Sequence, residues 1–157
     1  MDIKETTLDG LKLASLAAIA TLIVAAPAAF AACDAPAADL PTRSPGAAAG
    51  GAAGFAGVWE GDWPILVHGH PQALCAKLYV SVIGPHSAAV AHCIGSVKEA
   101  GLKPQCSKYD AGIDGNELSF TDRGGNRVTF TLEDVGGMLA ESENGTHKSS
   151  TQFTKAQ

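Results

Sequence analysis

From Phe55 onward, apolar and polar positions alternate with a period of two. Leu118 and Phe120 fall between Glu117, Ser119 and Thr121, and Val128, Phe130 and Leu132 fall between Arg127, Thr129 and Thr131. Successive side chains of a strand point to opposite faces, so each run presents one apolar and one polar face. Leu78, Val80 and Val82 share a face in the same way, while Tyr79 and Ile83 make the other face partly apolar. No stretch beyond Phe55 repeats convincingly every 3.6 residues, so helices are not expected there.

Turn signals separate these runs. Gly84-Pro85, Asp114-Gly115, Gly124-Gly125, Gly136-Gly137 and Asn144-Gly145 stand between alternating segments. Asp-Gly and Asn-Gly supply the positive φ that tight hairpins demand. Asn144-Gly145-Thr146 also matches a glycosylation acceptor and is better read as a hairpin turn. The pattern predicts strands over 56–63, 74–83, 87–94, 107–113, 117–121, 126–132, 137–143 and 146–154. Eight sequential antiparallel strands would leave two raw edges as an open sheet, and closure removes them. The expectation is an all-β, up-and-down meander forming a closed or nearly closed barrel. Its interior would hold side chains or one small ligand.

The segment before the barrel has a different texture. Residues 13–33, LASLAAIATLIVAAPAAFAAC, carry no charge, and Ala29-Phe30-Ala31 supplies the small-x-small pattern of a cleavage site. Residues 1–31 therefore read as a signal peptide, and the alternative is a membrane span. The acids Asp2, Glu5 and Asp9 stand where such peptides are usually positive. Phe30-Ala31-Ala32-Cys33 is similar to a bacterial lipobox, so a membrane partner would require lipidation at Cys33. Residues 32–54 are so rich in alanine, glycine and proline that a disordered tether is expected. Residues 55–157 form the barrel domain, exported to the periplasm or beyond.

Both tryptophans lie at the domain's entrance, in FAGVWEGDW. Gly57-Val58-Trp59 resembles the G-x-W signature of the calycins, the lipocalin and avidin group of small barrels. That resemblance implies that Trp59 closes one end of the barrel and that a ligand sits inside it. The domain is shorter than a lipocalin, which implies a shallow barrel. A small apolar ligand would then be lined by Trp59, Tyr79, Val128 and Phe130, with Ala76, Ala88, Ala91 and Ala140 leaving room. Trp63, four positions after Trp59, falls on the same strand face.

The formal charge of −5, with no cluster of Lys and Arg, gives a nucleic acid no electrostatic footing. Cysteines in an exported chain invite disulfides. Cys93 and Cys106 bracket IGSVKEAGLKPQ and form the first candidate pair, Cys75 with Cys93 the second. The remaining cysteine would be buried or joined to Cys33. No cofactor is implied beyond a metal at His68 and His70, whose H-x-H spacing puts two imidazoles on one side of an extended segment. A third ligand would come from His86, His92 or a carboxylate. Glu60 and Asp62 beside Trp59 and Trp63 suggest an alternative, a hydrolase-type enzyme acting by acid–base chemistry. A protein-interaction module is the third reading. Composition leaves the oligomeric state open.

Overall fold

A computed structural model describes residues 33–40, 51–97, 101–145 and 147–156. The expected signal peptide (1–31) and the first three lipobox positions lie outside the described residues. The barrel is closed and runs in sequence order. Its strands are β1 (Gly57–Val67), β2 (His70–Gly84), β3 (Ser87–Ile94), β4 (Gln105–Asp114), β5 (Glu117–Thr121), β6 (Arg127–Leu132), β7 (Gly137–Asn144) and β8 (His147–Lys155). Every neighbouring pair is antiparallel, including β1 with β8. Among the described residues, one short helix, α1 (Ala52–Phe55), precedes β1.

The inward faces supply one continuous core. Leu78, Val82, Val90, Leu118, Val128, Phe130, Met138 and Phe153 are fully buried, each at an alternate position of its strand. Trp59 and Phe55 belong to the same cluster. Ala76, Ala88 and Ala140 do face inward, but they pack into this cluster alongside Phe130 and Phe153. The middle of the barrel is thus packed with side chains from every strand.

β1 and β2 run furthest past the expected spans. Residues 64–73 contain Pro64, Gly69 and Pro71 and were expected to form a loop. Instead β1 and β2 stay paired up to Val67↔His70, closed by the two-residue turn His68-Gly69. His68 (φ 50°) and Gly69 (φ 81°) both adopt positive φ, as a type I′ hairpin turn requires. Pro64 is tolerated at an edge: the β1–β8 ladder stops at Gly61↔Phe153, short of Pro64. That ladder holds three residue pairs, so the tip of the β1–β2 hairpin stands beyond the seam.

The stretch expected as a free tether is held at both described portions. Residues 33–40 lie against the outer face of β2–β4, with Ala35 buried against Ala91 and Cys93. Tyr79 Oη donates to the Pro36 carbonyl (3.4 Å), and the Ser96 amide donates to the Asp34 carboxylate (3.1 Å). Ser96 Oγ donates to the same carboxylate. Cys33 is bonded to Cys75, and Cys93 to Cys106 directly across the β3–β4 ladder. Composition misled here because a covalent anchor removes much of the ordering entropy that alanine-rich chain cannot otherwise offset. A lipid on Cys33 needs the sulfur that this disulfide occupies. The two disulfides point to an oxidising environment.

Candidate functional site at the open end of the barrel

The two ends of the barrel differ. At the end where β1 begins, α1 folds into the opening and buries Phe55 completely. The Trp59 indole, 2% exposed, donates its Nε1–H to the Phe55 carbonyl (2.8 Å). Lys155 Nζ stands 5.3 Å from the centre of the Trp59 ring, within cation–π range. Trp59 therefore closes this end as the G-x-W resemblance implied.

Trp63 lies two periods of the alternation further along the same inward face and is half-buried. Its ring stacks on Phe130 (6.3 Å between centroids), meets Phe153 edge-on (6.4 Å) and touches His92 edge-on (4.5 Å). These rings cap the core from the other side. Above them the barrel is open, and the mouth holds two clefts that share Trp63, Ile65 and Asp122. The first, about 250 Å³, lies between the β1 tip, β3–β4 and the β5–β6 turn, with His92, Tyr109, Gln105 and Ser107 in its wall. The second, about 530 Å³, lies at the seam, between Pro64–Leu66 and the start of β8.

His92 is the unusual group of the first cleft. Alternation with Ala88 and Val90 turns it inward, and its Nε2 is out of solvent contact with no hydrogen-bond partner. Leaving a buried polar atom unmatched costs about 1–3 kcal/mol, so such atoms are uncommon and call for a reason. Burial pushes the His92 pKa down to about 4, with the Asp122 carboxylate pulling weakly the other way. The ring is therefore neutral at physiological pH. Asp122 is itself fixed by the β5–β6 turn, accepting from the Gly124 amide (2.8 Å), the Asn126 amide (2.9 Å) and Asn126 Nδ2 (2.8 Å).

That neutrality has a consequence for stability. Below pH 6.5 the unfolded chain takes up a proton on His92 that the folded chain refuses until about pH 4. Stability should fall across this window by up to about 3 kcal/mol, then level off as far as this residue is concerned. Urea unfolding of the parent and of His92→Gln at pH 7, 5.5 and 4.5 measures it. The difference between the two should shift steadily with pH, and parallel curves would dismiss the buried imidazole.

The sequence-predicted positions are distributed as follows. Trp59, Val128 and Phe130 face inward, in the packed core. Tyr79 does not: it lies outside, against residues 33–40. The period of two requires this, since Leu78 and Val80 on either side of it point inward. Ala91 is likewise on the outer face, beneath Ala35. His68 and His70 are exposed at the hairpin tip, His68 inside the turn itself, and His86 is exposed at the β2–β3 turn near the closed end. Among the described residues, no three His, Cys, Asp or Glu side chains converge as a metal site would need. Glu60 and Asp62 occupy the face of β1 opposite the tryptophans, and Glu60 pairs with Lys77 (3.0 Å) on β2. The acids and the aromatic rings are thus separated by the sheet. His92, Asp122, Gln105 and Ser107 were not legible as a site; the one available signal was a histidine at an inward position between apolar neighbours.

Comparisons with known proteins bear on the fold alone. No family model matches the chain, and no curated protein is significantly similar to it. Among solved structures, a redesigned β-barrel is similar over 68% of this chain and 95% of its own, with 12% identity and a TM-score of 0.51. The chain shares with it the architecture of a small β-barrel.

Proposed function

We propose that the protein is an exported binding module that takes a small molecule into the open end of its barrel. The orphaned Nε2 of His92 at the wall of the mouth cleft carries this reading. Ligand sites combine apolar walls with a few well-placed polar groups, and this mouth has both, in Trp63, Ile65 and Ile94 beside His92, Gln105 and Ser107. Two disulfides support export. The packed core moves the ligand from the barrel's centre, where a calycin-like calyx would hold it, to the rim. A hydrolase is less well supported, because Glu60 and Asp62 face away from the tryptophans. An interaction module is also less well supported, because the exposed large apolar residues Leu66, Ile83, Leu102 and Val135 belong to different segments at both ends.

A ligand that reaches Nε2 enters beside Trp63, whose ring packs on the imidazole, so binding should change Trp63 fluorescence. A small-molecule library screened by this signal is expected to yield compounds whose effect disappears in Ser107→Phe, which fills the cleft from β4 beside His92 and adds no tryptophan. Compounds that act equally on parent and variant, or no active compound at all, would remove the assignment.

A further inference from the structure

We infer that the ligand of the open mouth is a neutral, polyhydroxylated molecule of two linked rings, that is, a disaccharide unit of a glycan. The inference rests on the binding role proposed above and names its chemistry. The mouth offers hydrogen-bonding groups of mixed type around Trp63, with Tyr109 in the wall of the first cleft. Trp63 contributes to both clefts, and an indole face suits the apolar C–H face of a sugar ring. Around it stand amides, Gln105 and Asn144 among them, and hydroxyls, Ser107 and Ser149 among them, each able to donate or accept.

His92 narrows the class further. Its neutral ring presents at Nε2 either an acceptor or a donor, depending on tautomer. A hydroxyl both accepts and donates, so it satisfies Nε2 in either case; a carboxylate or an ammonium satisfies only one. The charges of the mouth make the same choice. Arg123 and Asp122 line the first cleft with opposite signs, and Lys148 at the second cleft is paired with Glu141 (2.7 Å), so neither cleft demands a net charge of its occupant. Asp122 is already committed to three donors of its own turn and is positioned as a fixed acceptor for a sugar hydroxyl.

The number of rings follows from the partition of the mouth. The two clefts, about 250 and 530 Å³, adjoin at Trp63, Ile65 and Asp122, so a ligand filling both must continue past that junction. One ring occupies the first cleft and reaches His92. The second lies along the seam toward Asn144 and Ser149.

The test uses the full chain with both disulfides formed, isotope-labelled, and follows the His92 ring resonances and the Trp63 indole N–H by NMR. Glucose, N-acetylglucosamine, cellobiose, maltose and chitobiose form one arm; phenol and benzoate form the other. At least one disaccharide is expected to move both signals and to bind about tenfold or more tighter than its monosaccharide. Asn144→Ala is expected to weaken the disaccharide and leave the monosaccharide unchanged. Phenol or benzoate moving the signals while no sugar does would overturn the glycan inference and leave the binding role standing. Silence in both arms would overturn both. Equal affinity for one ring and two would overturn the two-ring occupancy.

Discussion

Replacing Trp59 by alanine is expected to lower the unfolding free energy by about 3–5 kcal/mol, enough to unfold much of the population of a marginal domain. The indole is 2% exposed, projects from β1 into the core and is bonded to α1 through the Phe55 carbonyl. Its removal leaves a cavity at the closed end and strands the Phe55 carbonyl that Nε1–H now satisfies. Trp59→Phe separates the two contributions. It keeps most of the apolar volume and loses the hydrogen bond, so a loss of about 1–2 kcal/mol is expected. Trp63→Phe should be milder than Trp59→Ala, because Trp63 is half-buried and its neighbours Phe130 and Phe153 still close the core. Urea midpoints of the three variants give the order directly. A Trp59→Ala variant as stable as the parent would mean that α1 and Trp59 do not seal the barrel.

The second large effect concerns the Cys33–Cys75 disulfide, whose residues are 42 apart in sequence. Chain-entropy arguments assign such a loop about 4 kcal/mol, against about 3 kcal/mol for Cys93–Cys106 with its separation of 13. The paired substitution Cys33→Ser, Cys75→Ser should therefore be the more costly of the two disulfide removals. It should also have a local signature. Residues 33–40 contribute one buried side chain, Ala35, and a few half-buried ones, while ordering each backbone residue costs about 1–2 kcal/mol. Without the covalent anchor the strap should leave the sheet. The Ser96 amide, which donates to Asp34, should then exchange with solvent much faster, while amides of the β6–β7 ladder keep their protection. Unchanged exchange at Ser96 would show that the strap binds by its own contacts.

Much of the barrel was legible along the chain because its pairing is local. The strands β5 to β8 are joined by tight turns whose glycines carry positive φ, Gly125, Gly136 and Gly145 among them, and their polar and apolar positions alternate cleanly. Hairpins of that kind are specified by neighbouring residues, so the expected runs and the observed strands coincide closely. The closing role of Trp59 was legible through the resemblance of Gly57-Val58-Trp59 to the G-x-W signature, and not from the alternation. The Cys93–Cys106 bond follows from the hairpin itself, since β3 and β4 set the two residues opposite each other.

What lay beyond the sequence depended on contacts between distant segments. The extension of β1 through Pro64 could not be read locally, because a proline is acceptable only where the neighbouring strand has ended, and that is decided by β8. The packing of residues 33–40 required knowing that Cys33 reaches Cys75. Tyr79 needed only the period of two to be placed outside; what it meets there, the Pro36 carbonyl, comes from a segment 43 residues earlier. His92 illustrates the limit for the site. Alternation alone puts it inward, but its desolvation and its unmatched Nε2 arise only in the closed barrel, where Trp63 of β1 packs against its ring. Sequence determined the strands and the faces they present; tertiary closure decided which end is sealed and which polar atom is buried without a partner, because burial is a property of the assembled barrel and not of any one strand.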